Sequence, residues 1–362
     1  MTTCTCLTKP HKEHVELVHL LQKRGMEICD KDRAIRKLSQ IGYYRLSGFW
    51  YPCRKPLTEA DGVTYSKDPV TKMPIRSDLF QENVRFDDIT DLYLFDKKLR
   101  QLLLNAIERV EIHIRSVIAH ELGRLDPLAY KSECYINPNV MKEKKRPDGS
   151  KYTIWGDWVE KQNGMIQSST VDCIKWHKKR GKEIPFWVVI ECWDFGLMSK
   201  YFQNLKRTYQ ELVCKHFGLD NPKTFRSWLT ELNNLRNSCA HHSRVWNLKM
   251  ANAISTKGTE GIPYFQRLNL SSDARERIYA HIAVLWYLVQ MIGPSSDWIG
   301  RVADLIDCKP RINSCPYTAM GFQSNKGFPR HKFAYFDGAN SSCPLAFCSI
   351  LNRIWLSCKK TV

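Results

Sequence analysis

The sequence predicts a mainly α-helical protein, built as a helical bundle with loop insertions and a smaller N-terminal helical region. Three observations lead to this prediction. Several long segments place apolar residues at helical spacing, few segments alternate as strands do, and no internal repeat is visible. With 362 residues, of which 43% are hydrophobic and 11% aromatic, the chain has enough apolar material for a large core.

The N-terminal helical region is predicted to span residues 14–83, after a loose tail formed by residues 1–13. Two short helices are expected within residues 15–38, separated near Gly25. Asp30 suits the N-cap position of the second helix, because its short carboxylate can accept a hydrogen bond from an unpaired backbone N–H group.

Two more segments complete this N-terminal region, and two larger parts of the chain follow it. Residues 41–52 are dense in aromatic side chains, and the polar residues 54–83 predict a loop or an insertion. The main helical domain is predicted to span residues 84–300, with a basic insertion at residues 126–183. Residues 301–362 form a C-terminal extension of unknown structure.

Residues 87–125 are predicted to form the longest helix. Its apolar positions recur at helical spacing: Ile89, Leu92, Leu99, Leu103, Ala106, Val110, Ile114 and Val117. Gly123 and Pro127 mark its end. Glu111 and Arg115 are four positions apart, which predicts either an ion pair within the helix or a brace for the helix that carries the candidate site.

Four other segments are predicted to be helical. A short helix is expected near residues 155–162, and longer ones at residues 186–205, 224–242 and 274–292. Residues 323–362 are rich in Gly, Ser, Asn, Pro and Cys, and we assign them no function.

The charge of the chain predicts a polyanionic partner. Its formal net charge is +18 and its pI is near 9.3. Nucleic acid fits better than a membrane surface, because there is no apolar run of about 18 residues. The first residues lack the apolar core of a signal peptide, which favours a cytoplasmic protein. There is no C-x-x-C pair, H-E-x-x-H motif or phosphate-binding glycine loop, so we expect neither a metal nor a cofactor.

The most informative motif is R-N-x-x-x-H, formed by Arg236, Asn237 and His241. On a continuous helix, Asn237 and His241 share one face, and the long Arg236 side chain can reach over the same turn. Histidine exchanges protons near neutral pH, and the arginine fork can hold a phosphate. These groups suffice to cleave a phosphodiester without a metal when the substrate supplies its own nucleophile, as RNA does with its 2′-OH.

Structural alternatives exist for this motif and its neighbours. The three residues are also typical of a helix-capping cluster. His242 is expected either to orient His241 or to pack, and Arg244 is a candidate phosphate contact. A second R-x(4)-H, from Arg115 to His120, lacks the polar residue after the arginine, and we interpret it as a coincidence.

Two further groups are candidate RNA-binding residues. Tyr44 and Arg45 belong to the aromatic segment, where rings stack on bases or simply fill the core. Lys178, Lys179 and Arg180 lie in a basic run that either tracks phosphates or is a solvated loop.

The chain resembles the bacterial abortive-infection (Abi) family of the HEPN ribonuclease superfamily. The R-x(4–6)-H box with a polar residue after the arginine is the HEPN signature. Four segments resemble the Abi family in the same order: residues 21–54, 84–123, 185–205 and 228–247.

The resemblance implies a HEPN-like helical bundle and a metal-independent endoribonuclease that acts as a toxin in antiphage abortive infection. His241 would act as general acid or base, Arg236 would stabilise charge on the phosphate, and Asn237 would orient one of them. Since one histidine is short of an acid–base pair, the resemblance implies a homodimer with a composite site. A structured non-coding RNA is a possible antitoxin partner.

Two other hypotheses remain open. One is a non-catalytic RNA-binding protein in a ribonucleoprotein complex, which would bind RNA tightly without cutting it. The other is a nucleotide-binding partner of a separate nucleotidyltransferase, as some HEPN proteins are.

Overall fold

The computed structural model describes most of the chain: residues 9–59, 61, 64–70 and 74–334. Helices dominate these residues and pack as a bundle, which confirms the predicted mainly α-helical class. The predicted tail and the predicted C-terminal extension both reach into parts of the chain that lie outside the described residues. No helix of the described part is both long enough and apolar enough to cross a membrane.

The N-terminal region begins with α1 (His14–Lys23) and α2 (Lys31–Ile41). These are the two short helices predicted on either side of Gly25, which has a positive φ of 91°. The predicted cap is also present, because Asp30 Oδ1 accepts a hydrogen bond of 2.8 Å from the backbone N–H three residues later.

The aromatic segment forms a third helix, α3 (Tyr43–Trp50), which the sequence did not indicate. Gly42, with φ 92°, makes the turn from α2. Phe49 and Trp50 are buried, whereas Tyr44 is 72% exposed. The segment therefore divides between the core and the surface.

Residues 54–83 were predicted to be a loop or an insertion, and the two strands that they contain were not expected. Strand β1 (Arg54–Pro56) pairs antiparallel with β2 (Arg76–Phe80). The two strands are short and one ends at a proline, so no alternating pattern was long enough to reveal them.

Helix α4 (Phe86–Gly123) is the axis of the bundle. Its 38 residues extend over roughly 57 Å at 1.5 Å per residue. The whole predicted apolar stripe is buried. The helices that pack around α4 include α3, α7, α9, α10, α13 and α14.

The basic insertion is more ordered than expected. It holds a small antiparallel hairpin, β3 (Lys144–Lys145) with β4 (Lys151–Tyr152), followed by α5 (Ile154–Ser168) and α6 (Asp172–Lys179). Helix α5 contains the short helix predicted at residues 155–162. It packs on the next part of the bundle because its Trp155 and Trp158 rings stack on each other and contact Tyr201.

The single helix predicted at residues 186–205 is divided in two. Helix α7 (Phe186–Val189) continues into a 3-10 turn, and α8 (Phe195–Asn204) begins after Asp194. The Asp194 carboxylate caps α8 by accepting the N–H of Leu197 at 2.5 Å, which starts a new helix inside an apolar run. Helix α9 (Arg207–Lys215) follows and was not predicted.

The rest of the bundle contains α10 (Pro222–Ala240), α11 (Pro263–Leu268), α12 (Ser272–Arg275) and α13 (Ile278–Ile292). The helix predicted at residues 274–292 is thus broken before residue 278. The carbonyl groups of Arg275 and Glu276 accept hydrogen bonds from Ile254 and Met250, which interrupts the helical ladder.

Residues 298–334 pack on the same bundle. Helix α14 (Trp298–Asp307) lies on α4, and Trp298 Nε1 donates a hydrogen bond of 2.8 Å to the carbonyl of Leu102. Near the end of this segment, the carbonyl of Phe333 accepts a hydrogen bond of 2.9 Å from Trp286 of α13. The described part of the predicted C-terminal extension is therefore folded.

Candidate active site

The candidate motif lies at the C-terminal end of α10. Asn221 caps the start of this helix, since its Oδ1 accepts the N–H of Lys223 at 3.1 Å, and Pro222 occupies the first helical position. The apolar face is buried against α4 and α8: Trp228, Leu229, Leu232 and Leu235. This packing fixes the position of the helix end.

A Schellman motif terminates the helix within the motif. The N–H of Ser243 donates to the carbonyl of Ser238 at 2.9 Å, and the N–H of His242 donates to Cys239 at 3.2 Å. His242 has the left-handed conformation that this motif requires, with φ 59°. His241 is the C-cap residue directly before it, and both histidines are exposed. The turn therefore presents His241 to solvent.

Arg236 and Asn237 lie one turn before His241 and are half-buried. Arg236 Nη1 donates to Asn237 Oδ1 at 3.3 Å, and the N–H of His241 donates to the carbonyl of Asn237 at 2.9 Å. The three residues predicted from the sequence thus lie on consecutive turns of one helix end.

Open space adjoins the Arg236 guanidinium. A cavity of about 160 Å³ lies between α5, α8 and α10, lined by Lys161, Asp194, Phe195, Gly196, Asn233, Arg236 and Asn237. The carboxylate in this lining belongs to Asp194, which already has partners: it caps α8 and pairs with Lys161 at 3.3 Å. Arg236 makes no ion pair among the residues that the structure describes.

The predicted Glu111–Arg115 ion pair is present on α4, beside the motif helix. Arg115 also donates a hydrogen bond of 2.7 Å to the carbonyl of Trp193, which ties α4 to the start of α8. Burial raises the pKa of Glu111, while the positive charges of Arg115 and Arg236 oppose that shift. Glu111 therefore lies within electrostatic range of Arg236.

A second ion pair of α4 holds the segment that follows the motif. Asp96 Oδ1 accepts the backbone N–H groups of Val245 at 2.9 Å and Trp246 at 2.8 Å. Its other oxygen pairs with Arg100, which donates to the carbonyl of Ser243 at 3.3 Å. Burial raises the pKa of the Asp96 carboxyl, and Arg100 and the two N–H groups oppose that shift. These contacts fix the exit of the chain from α10.

The sequence reasoning missed Asp96 and Arg100. A signal was available, because both charged residues fall among the buried positions of α4, next to Leu92, Leu99 and Leu103. A charged pair within an apolar stripe must be satisfied by a partner from elsewhere in the fold. Only the tertiary structure shows that this partner is the chain after the motif.

The N-terminal region also reaches the motif. Arg45 of α3 donates from Nη1 to the carbonyl of His242 at 2.8 Å. Tyr44 precedes it on the same helix and is largely exposed. Of the RNA-binding candidates, Arg45 thus contacts the motif turn directly, and Tyr44 lies beside it.

The other RNA-binding candidates have different surroundings. Arg244 is half-buried between Gly48 and Asp96, and burial lowers the pKa of its guanidinium. Lys178, Lys179 and Arg180 lie at the exposed end of α6. Lys178 donates to backbone carbonyls of α5, and Arg180 covers the Trp176 ring at 4.4 Å.

A substitution of His242 can distinguish the role of its left-handed backbone from the role of its imidazole ring. A left-handed backbone costs an L side chain about 1–2 kcal/mol, a cost that glycine avoids. We expect His242→Gly to raise the free energy of unfolding by about 1 kcal/mol, measured in urea, and to leave any activity of the motif unchanged. Loss of activity in a folded His242→Gly protein would assign the ring a catalytic role instead.

The described residues contain no cluster of three or more His, Cys, Asp or Glu side chains suited to a metal ion. A family model described as Abi-like protein matches residues 36–247, which is more than half of the chain and includes the whole motif. No curated protein and no solved structure matches the chain.

Proposed function

Since this chain belongs to the Abi-like protein family, we propose that it is a toxin in antiphage abortive infection and a HEPN-type endoribonuclease. The observation that supports this proposal is the end of α10. There, Arg236 hydrogen-bonds to Asn237 beside an open cavity, and His241 is exposed one turn later. This combination of a phosphate ligand and a proton-transfer group is the minimum for cleaving RNA through its own 2′-OH.

The proposed reaction needs only the substrate and these side chains. The 2′-oxygen attacks the adjacent phosphorus, the 5′-oxygen leaves, and the products are a 2′,3′-cyclic phosphate and a 5′-hydroxyl. His241 accepts the 2′-OH proton or donates one to the leaving 5′-oxygen. Arg236 stabilises the charge that develops on the phosphate, and the hydrogen bond to Asn237 keeps its guanidinium in place.

A composite site across a homodimer supplies the second proton-transfer group. The exposed position of His241 at a helix end supports this arrangement, since a second copy of the motif can approach it from solvent. The backbone of the neighbouring His242 forms the left-handed turn, and its ring is also exposed.

The RNA path is proposed to run over α3 toward the motif. Arg45 lies against the motif turn and Tyr44 offers an exposed ring for base stacking, which is worth about 1–3 kcal/mol per base. The net charge of +18 supports strong and salt-dependent binding, with Lys178, Lys179 and Arg180 as outlying phosphate contacts. The same charge supports a structured non-coding RNA as the controlling partner.

Substitution of Arg236 tests the proposal in cells. Wild-type protein, expressed under tight control, is expected to arrest growth and to create new 5′-hydroxyl RNA ends, which sequencing identifies. Arg236→Ala should lower the yield of these ends by about 10²–10³-fold, the usual effect of removing one donor that stabilises transition-state charge. Arg236→Lys keeps the charge without the fork and should be intermediate.

A matched control is Arg207→Ala, which removes a largely exposed arginine that pairs with Glu211 on α9. It should leave the yield of RNA ends unchanged. If wild type and variants create no such ends but all co-purify with a discrete RNA, the protein is a non-catalytic component of a ribonucleoprotein, which is the alternative function.

A further inference from the structure

Two buried cysteines from distant parts of the chain lie against each other. The Sγ atoms of Cys53 and Cys315 are 3.9 Å apart, close enough for a hydrogen bond between thiols, and both residues are fully buried. Cys53 ends the 3-10 turn that follows α3, whereas Cys315 belongs to the chain after α14, 262 positions later. The proposed function uses neither thiol, and Cys315 lies beyond the part of the chain that matches the family.

Hydrogen bonds on both sides hold the two cysteines in place. The carbonyl of Cys53 accepts the N–H of Gln81 at 2.9 Å. The carbonyl of Cys315 accepts a hydrogen bond of 2.6 Å from Nζ of Lys309. The side chain of Ser314 donates to Gln81 at 2.7 Å and so joins the two segments beside the thiols. The contact between the sulfurs is therefore part of a packed interface between the N-terminal region and the chain after α14.

The surroundings of the pair favour a thiolate at Cys53 and a thiol at Cys315. The hydrogen bond to Cys315 lowers the pKa of the Cys53 thiol against the opposing effect of burial, and the positive charge of Arg76 adds to this shift. The same hydrogen bond, together with burial, raises the pKa of Cys315. A sulfur of lowered pKa beside a protonated one can attack an oxidant, and its neighbour can then resolve the product as a disulfide.

The two other buried cysteines of the described residues, Cys214 and Cys239, lack this environment. Burial raises the pKa of both thiols to about 12, so they stay protonated at neutral pH. Since the thiolate is the reactive form of cysteine, both should be inert toward oxidants. They are internal references for the reactivity of the Cys53–Cys315 pair.

Two cavities lie on either side of the segment next to the pair. Cys315 belongs to the lining of one, which has a volume of about 740 Å³, and Ser314 and Gln81 belong to the lining of the other, of about 210 Å³. Residues 311–313 line both cavities and form a thin wall between them. A water molecule takes up about 30 Å³, so a peroxide with two oxygens fits in either cavity. A small neutral oxidant can therefore come next to the thiols.

We propose that Cys53 and Cys315 are a redox-active thiol pair that hydrogen peroxide converts into a reversible disulfide. The Cys53 thiolate attacks one peroxide oxygen and becomes a sulfenic acid, and the other oxygen leaves as hydroxide, which is protonated to water. The Cys315 thiol then attacks the sulfenic sulfur and expels a second water, so one peroxide is reduced and two thiols are oxidised. The sulfurs approach by about 2 Å to reach the S–S bond length. The proposal does not depend on RNA cleavage, so the failure of either proposal leaves the other intact.

Peptide mapping of the reduced full chain tests this proposal. Hydrogen peroxide is raised until the exposed Cys29 is oxidised, and catalase then removes it. The remaining thiols are alkylated in mildly acidic urea, which prevents disulfide exchange, and the non-reduced digest is analysed by mass spectrometry. A peptide pair joined through Cys53 and Cys315 is expected, and dithiothreitol should separate it. Cys214 and Cys239 should remain thiols that can be alkylated.

Two variants test the order of the steps. Cys315→Ala lacks the resolving thiol, so Cys53 should accumulate as a sulfenic acid, which dimedone traps. Cys53→Ala lacks the attacking thiolate, so Cys315 should be labelled by dimedone about tenfold less than Cys53 is in Cys315→Ala. The control is Cys308→Ser, which replaces an exposed thiol at the C-cap of α14 and should form the disulfide to the same extent as wild type.

Three results would overturn the proposal, and the first needs only the wild-type protein. Cys53 and Cys315 could remain reduced at a peroxide concentration that oxidises Cys29, or they could form disulfides with other cysteines instead of each other. The third result is a yield of the Cys53–Cys315 disulfide in Cys308→Ser that is at least tenfold lower than in wild type.

Discussion

Replacing His241 with alanine is expected to lower the rate of RNA cleavage by about 10²–10⁴-fold, the usual contribution of a positioned general acid or base. The side chain is exposed at the C-cap of α10, and its backbone N–H keeps its bond to Asn237 in the variant. The fold and the affinity for RNA should therefore remain. The measurement is a single-turnover cleavage assay on an RNA identified by its 5′-hydroxyl ends, with RNA affinity measured alongside by filter binding.

His120→Ala is the matched control for this prediction. His120 belongs to the second R-x(4)-H, is also exposed, and lies on α4 near its end. It should cleave at the wild-type rate. If His241→Ala and His120→Ala lower the cleavage rate equally, the active site is not at the end of α10.

The proposed composite site across a homodimer can be tested with the same His241→Ala variant. When subunits exchange, wild-type chains paired with an excess of His241→Ala chains should lose activity, because each site then holds one histidine. Sedimentation of the mixture verifies that mixed dimers form. Unchanged activity per wild-type chain in such dimers would mean that each chain carries a complete site.

Elements with a strong period could be predicted from the sequence, whereas those defined by one local contact could not. Apolar residues recur at helical spacing along most of the 38 residues of α4, so the burial of this face follows from spacing. The apolar run at residues 186–205 also has a helical period, yet it contains the cap formed by Asp194. A capping aspartate and an exposed helical aspartate look alike in a sequence, so the break between α7 and α8 was missed.

The same limit applies to the candidate site. Arg236, Asn237 and His241 are close in sequence, and their arrangement follows from the helix that they share. The contacts that surround them join distant positions: Arg45 reaches His242 across 197 residues, and Asp96 reaches Val245 across 149. No local pattern encodes such pairs, because they depend on how α3 and α4 pack against the end of α10.

Asp96→Ala is expected to destabilise the protein by about 3–5 kcal/mol, the typical cost of removing one partner from a buried ion pair. Arg100 is 5% exposed and Asp96 is fully buried, so the variant leaves a guanidinium without a counterion. It also leaves the N–H groups of Val245 and Trp246 without their acceptor. Urea unfolding followed by circular dichroism measures the loss.

Two variants separate these contributions. Asp96→Asn retains an acceptor for the two N–H groups and should cost less than Asp96→Ala. Asp91→Ala removes an exposed aspartate from the same helix and should change the free energy of unfolding by no more than about 0.5 kcal/mol. A loss below about 1 kcal/mol in Asp96→Ala would mean that the pair does not anchor the chain after the motif.

If the predicted loss is found, cleavage should fall as well at temperatures where the variant is still folded. The reason is that Ser243, Val245 and Trp246 fix the turn that presents His241.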